Sequence, residues 1–156
     1  MAMAITMREF LKEQDADFEV LQHPPAVSAS RVAEKAHITG EQMAKAVLLK
    51  CDSGYRLAVV PGTCVTDLNE LSHALHERLG LATEDEIRDL FSDCEGGALP
   101  PLGQAWGVPV WYDEMLAHQP DIYFEAGDHQ TLVHMSGTEF SRLMRTAERG
   151  RFARHM

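Results

Sequence analysis

Residues 42–60 read QMAKAVLLKCDSGYRLAVV. Two apolar runs flank Asp52-Ser53-Gly54, a tripeptide that suits a tight hairpin turn. The pattern predicts antiparallel strands over 42–51 and 55–60. Alternation puts Met43, Lys45, Val47, Leu49 and Cys51 on one face of the first strand, and Ala44, Ala46 and Leu48 on the other. Both faces are apolar, as in a central strand covered on each side. Lys45 is the exception. An ammonium group there costs free energy unless it meets an anion or snorkels to solvent. A pocket for a phosphate or carboxylate would meet the first condition.

The same reading extends outward from the hairpin. Residues 5–16 form an amphipathic helix through Ile5, Phe10 and Leu11. FEVLQ (18–22) is a short strand stopped by His23-Pro24-Pro25, and 28–37 reads as helical. Thr39 and Gln42 have capping-box spacing. Asp67 with Glu70 opens a helix whose stripe is Leu68, Leu71, Leu75 and Leu79, with Gly80 as its stop. Thr83 with Glu86 opens a shorter helix through Phe91. Residues 108–113, 121–126 and 131–136 are further strands. Ser136 with Glu139 caps a last helix carrying Phe140, Leu143 and Met144. Hairpin-length connections predict a mixed α/β fold, with a central, mostly antiparallel, barrel-like sheet surrounded by helices. No repeat or linker divides residues 1–156, which read as one domain.

Composition narrows the function classes. Of 156 residues, 45% are hydrophobic and 24% charged, ordinary values for a soluble globular chain. No apolar run has the length of a membrane span, and the N-terminal stretch carries Arg8, unlike a secretory signal. A net charge of −10 argues against broad nucleic-acid binding, so DNA and membranes are not expected partners. A local basic run, Arg142, Arg145, Arg149, Arg151 and Arg154, reads either as a solvated helix face or as an RNA contact. Cys51, Cys64 and Cys94 include no CxxC pair and read as reduced thiols of a cytoplasmic protein. His73 and His76 lack an HExxH context, so neither metal nor cofactor is expected. GxSxG, GxGxxG and Walker motifs are absent.

GGALPPLG (96–103) is the other unusual stretch. Gly96 and Gly97 permit positive φ and close approach to a ligand, while Pro100 and Pro101 stiffen the second half. The N–H groups of Ala98, Leu99 and Leu102 could converge on an ester carbonyl or its oxyanion. A plain surface turn is the alternative. His129 and His134 flank a strand in GDHQTLVHM, where nothing pairs them with a nucleophile.

Together, in this order, the lysine strand and the glycine–proline loop resemble the YbaK/prolyl-tRNA synthetase-associated domain family, free-standing relatives of the editing domain of bacterial prolyl-tRNA synthetase. The similar pieces are HPP (23–25), AKAVLLK (44–50), LAVVPG (57–62), GGALPPLG (96–103), PVWYD (109–113) and YFEAGDHQTLVHMS (123–136), between Phe18 and Met144. The resemblance implies a YbaK-like fold and trans-editing, the hydrolysis of the ester joining a wrong, small amino acid to tRNA. Carried over, Lys45 lies near the terminal adenosine and its phosphate. Gly97 and Pro101 end the GxxxP loop. Its N–H groups, Ala98 included, hold the carbonyl or place the water, and the terminal ribose hydroxyl assists, so no protein nucleophile is needed. His23, Gly96, Leu99, Leu102, Gly103 and Gly127 join the substrate-binding set, with Met43, Val47, Leu49 and His134 added by strand parity. Arg142, Arg145 and Arg149 are the expected RNA contacts. The implied partners are the acceptor end of a mischarged tRNA and an aminoacyl-tRNA synthetase. The family's cysteinyl-tRNA branch has a tyrosine and an aspartate where Leu21 and Leu132 stand here, which turns the expectation away from a thiol-assisted enzyme. A non-catalytic tRNA- or synthetase-binding module and a small-molecule esterase are the other readings.

Overall fold

The computed structural model describes residues 3–23 and 38–156. In chain order the elements are α1 (Ile5–Glu13), β1 (Glu19–Gln22), β2 (Ala44–Cys51), β3 (Gly54–Pro61), β4 (Cys64–Thr66), α2 (Leu68–Leu75), β5 (Leu79–Leu81), α3 (Glu84–Leu90), β6 (Val110–Asp113), β7 (Asp121–Glu125), β8 (Thr131–Ser136), α4 (Gly137–Leu143), β9 (Glu148–Gly150) and β10 (Ala153–His155). The helix expected at 28–37 lies outside the described residues, as do Pro24 and Pro25.

The β2–β3 hairpin forms as its sequence requires. Cys51 pairs with Gly54 across the turn, where Gly54 takes φ +124°. The strands stay in register to Ala44 and Pro61. They anchor a five-stranded sheet ordered β5-β2-β3-β6-β9. Parity holds on β2. Ala44 and Leu48 enter the main core with Leu57, Val59, Phe124, Val133 and Phe140. Leu49 and Cys51 face a second core made with Ala58, Val60, Cys64, Leu71 and Phe152. A strand sealed on both faces has no room for an unpaired charge, which sharpens the question of Lys45.

β1, β8 and β7 form a three-stranded antiparallel sheet, and β10 pairs with β4. Ile122, Phe124, Val133 and Met135 turn one face of the three-stranded sheet into the main core. The ladders are mostly antiparallel, the exceptions being β3–β6 and β6–β9. The expected barrel does not close among the described residues. The three- and five-stranded sheets remain separate, touching through an isolated bridge between Met43 and Tyr123.

The helix starts follow the capping chemistry. Asp67 accepts the N–H groups of Asn69 and Glu70, Thr83 and Glu86 form a reciprocal capping box, and Ser136 accepts the Glu139 N–H. One helix end departs from expectation. α2 stops at Leu75 with His76 in the left-handed region at φ +55°, and Leu79 and Gly80 belong instead to β5, paired with β2. Nor is the arginine-rich run 142–154 one helix face, because β9 and β10 occupy its second half. Buried Asp113 holds that segment. Its Oδ2 accepts the N–H groups of Phe152 (2.8 Å) and Ala153 (2.7 Å).

Candidate active site

Lys45 resolves its awkward position with a backbone acceptor. Its Nζ, half-buried, donates to the Cys64 carbonyl of β4 at 2.5 Å. Loss of water around the ammonium lowers its pKa below the usual lysine value. On the same face, Met43 is fully enclosed against Leu132, with Leu21, Ile38 and Tyr123 around them. Val47 is half-buried beside the second core, and Leu49 is sealed within it.

The GGALPPLG loop has two unlike halves. Gly96 and Gly97 are exposed, and Gly97 takes φ +83°. From Ala98 to Gly103 every residue is buried. Leu99 and Leu102 pack into the main core, so the second half is a fixed wall and the glycine pair its open end. The Ala98 N–H closes a turn on the Glu95 carbonyl at 3.1 Å. The N–H groups of Leu99 and Leu102 have no acceptor among the described residues.

The turn between β7 and β8 braces the glycine end. The Glu95 N–H donates to the Gly127 carbonyl (2.8 Å), and the His129 ring Nε2 lies 2.7 Å from the Gly96 carbonyl. Gly127 sits at φ +103°, where an added Cβ would come within 2.6 Å of the Ala4 Cβ, so a side chain would be strained and obstructed there. This turn also brings together groups that sequence reasoning did not assemble. Glu125 Oε1 is 3.3 Å from His23 Nε2, and its Oε2 is 3.7 Å from His129 Nδ1. Burial, then the nearby charges of Asp128 and Glu95, push the Glu125 carboxyl up to about 8. Part of the signal was present: alternation puts Glu125 on the same face as Tyr123, and the register sets it opposite Leu132, with Leu21 on the strand beyond. Among such neighbours a glutamate cannot be an ordinary solvated one.

The remaining expected residues are dispersed. His134 is held between Glu19 (2.5 Å) and Asp121 (2.9 Å) and stacks on Tyr123 with ring centroids 4.3 Å apart. Arg142 pairs with Glu139 (2.6 Å) and also donates to the Gln14 carbonyl, while Arg145 donates to the Arg142 carbonyl. Arg149 lies exposed on β9. Beyond them, Arg151 pairs with Glu114 and Arg154 with Asp67. Among the described residues no helix is long and apolar enough to cross a membrane.

An α/β domain with this lysine strand, buttressed loop and histidine-bearing turn falls in a known class. Residues 23–143 match the aminoacyl-tRNA editing domain family, and the chain belongs to it. Solved structures share the fold. A candidate trans-editing enzyme for prolyl tRNA synthetase superposes with a TM-score of 0.82 at 22% identity, covering 98% of this chain and 99% of its own. A hypothetical protein gives 0.84 at 16% identity, over 96% of this chain and 99% of its own. A structure from work on computational grafting of epitopes onto scaffold proteins gives 0.85 at 20% identity, over 98% of this chain and 97% of its own. No curated protein matches the chain in sequence.

Proposed function

We propose that this protein is an aminoacyl-tRNA deacylase that removes a small, wrongly attached amino acid from tRNA. Membership of the editing-domain family supports the substrate class. The observation that carries the chemistry is the loop, a buried wall that includes the Leu99 and Leu102 N–H groups, which have no acceptor among the described residues. Buried donors of this kind are normally satisfied, and an ester oxygen is a suitable acceptor. Water adds to the carbonyl carbon, and the tetrahedral oxyanion takes those hydrogen bonds. The bond to the terminal ribose oxygen then breaks, and the proton shed by the water ends on that oxygen. The products are a free amino acid and a free tRNA end. An aminoacyl ester is already activated, so positioning and oxyanion stabilisation account for the rate without a protein nucleophile.

Lys45 takes the phosphate of the terminal nucleotide. An anion there offsets the desolvation of an ammonium that has, among the described residues, the Cys64 carbonyl as its one acceptor. The exposed Gly96-Gly97 end leaves room for the amino acid.

The test is deacylation of alanyl-, seryl-, threonyl- and cysteinyl-tRNA specific for proline, with Lys45→Ala and Gly97→Ala alongside. The wild type is expected to hydrolyse one or a few of these esters. Lys45→Ala should lose at least about 100-fold while keeping its circular dichroism, in line with the loss of a positioned charged contact. Gly97→Ala should reduce turnover more than tRNA binding. Binding without hydrolysis of any ester would make the protein a non-catalytic tRNA-binding module instead. Hydrolysis of simple esters that ignores the tRNA end would make it a small-molecule esterase.

A further inference from the structure

Glu125 Oε2 and His129 Nδ1 are both buried, lie 3.7 Å apart, and neither has a hydrogen-bond partner among the described residues. Unsatisfied buried polar atoms are uncommon, and two aimed at one another are a pair with a proton to place. The surrounding donors and acceptors constrain where it goes. His129 Nε2 lies 2.7 Å from the Gly96 carbonyl, an acceptor only, so Nε2 carries a hydrogen. In a neutral ring, Nδ1 is then an acceptor. An ionised carboxylate could not satisfy it, whereas a carboxylic acid could.

We propose that Glu125 is the positioning residue of the GGALPPLG loop: it holds a proton, donates it in a hydrogen bond to His129 Nδ1, and so fixes the ring whose Nε2–H grips the Gly96 carbonyl. Closing the 3.7 Å gap to hydrogen-bond length takes a movement of about 1 Å.

The groups facing Glu125 favour the protonated form. From just past the end of β1 comes His23, 3.3 Å from Oε1. From the β7–β8 turn come His129 and Asp128. Asp128 is occupied by the Gln130 and Thr131 N–H groups and the Thr131 hydroxyl. From the segment before the loop comes Glu95, whose Oε2 accepts the His129 N–H at 3.3 Å. Two further carboxyls around one buried carboxyl disfavour a third negative charge, in keeping with a Glu125 pushed up to about 8. The chain therefore runs from the β7–β8 turn to the glycine pair, where a small shift of the loop would displace its donors.

The effect on catalysis rests on the deacylase reading, but the hydrogen-bond chain does not, so the test has an arm for each. The first is 15N NMR of histidine-labelled wild type from pH 6 to pH 9, with His129 assigned through H129N. The expected signal is a neutral ring hydrogenated on Nε2 up to pH 8, whose Nδ1 resonance shifts as Glu125 loses its proton. An imidazolium at pH 7, or a ring hydrogenated on Nδ1, overturns the proposal, and this arm needs no folded Glu125 variant. The second arm is the pH profile of deacylation in wild type and E125Q. The glutamine amide donates to Nδ1 but cannot ionise. The wild-type rate should be about tenfold lower at pH 9 than at pH 7, following the protonated fraction. E125Q, whatever its rate at pH 7, should keep that rate at pH 9. Parallel profiles in the two proteins overturn the proposal. If the wild type hydrolyses no ester, the functional reading fails and the NMR arm alone decides the positioning role.

Discussion

Two histidine–carboxylate clusters lie at opposite ends of one face of the β1-β8-β7 sheet, and they behave differently. At one end Glu125 meets His23 and His129, with the side chains of His23 and Glu125 only 1% and 8% exposed. At the other, His134 sits between Glu19 and Asp121, whose side chains are 62% and 44% exposed. The same residue types occur in both. Where water is excluded, the carboxyl keeps the proton. Where water reaches the carboxylates, the imidazole is the group moved toward its charged form: desolvation pulls His134 down, but the hydrogen bonds and charges of Asp121 and Glu19 outweigh it and the net shift is upward. Burial, more than residue type, decides which partner is shifted, and in which direction.

The largest way to break this comparison is through pH. Glu125 is pushed up from 4.5 to about 8, so between those values the unfolded chain gives up a proton that the folded chain retains. Stability therefore falls as pH rises through that window, and the loss is complete above it. Because glutamine cannot ionise, E125Q should gain on the wild type by about 1.4 kcal/mol for each pH unit of that window, a few kcal/mol between pH 5 and pH 9. Urea denaturation at both pH values checks this. A constant difference would mean that Glu125 ionises as freely folded as unfolded.

Next in size is removal of the buried group. At pH 6, Glu125→Ala should cost about 1–3 kcal/mol, because it strips His23 of its contact with Oε1 and leaves His129 Nδ1 unanswered. A cost no larger than that of an exposed ion pair would put the two clusters on one footing. The smallest effect belongs to His134. Its raised pKa gives stability that is present below pH 6.5 and lost as pH rises through the folded value. His134→Asn should thus cost under about 1 kcal/mol at pH 5.5 and almost nothing at pH 9. High salt should erode the His134 contribution and leave that of Glu125 nearly unchanged, which thermal melts at low and high ionic strength would separate.

What the sequence made legible were features with a local cause. The β2–β3 turn, the caps at Asp67, Thr83 and Ser136 and the two covered faces of β2 each follow from residues near one another in the chain. The three-residue strands β4, β5, β9 and β10 were not legible, because three residues carry too little alternation to register and each exists through its partner. α2 ended early for a similar reason. His76 takes the left-handed cap without being glycine, and β2 claims Leu79 as an edge partner. In the site, Lys45 and the glycine–proline loop were visible as local oddities. The Glu125 cluster was not, since its members meet only when β1, the β7–β8 turn and the segment before the loop come together.

The seat of Lys45 has a temporal side. Its acceptor, Cys64, lies on β4, and β4 has β10 as its ladder partner. β10 is fastened in turn by Asp113, which takes the Phe152 and Ala153 N–H groups. While the protein is being made, the lysine emerges from the ribosome long before residues 153–155. Until those residues arrive, β4 lacks its ladder partner among the described residues, and the carbonyl that receives the ammonium is less firmly held. Contacts so distant in sequence form late and slowly. A nascent chain can therefore complete the hairpin around Lys45 early, whereas the carbonyl that seats the ammonium is fixed only once residues 153–155 have paired with β4.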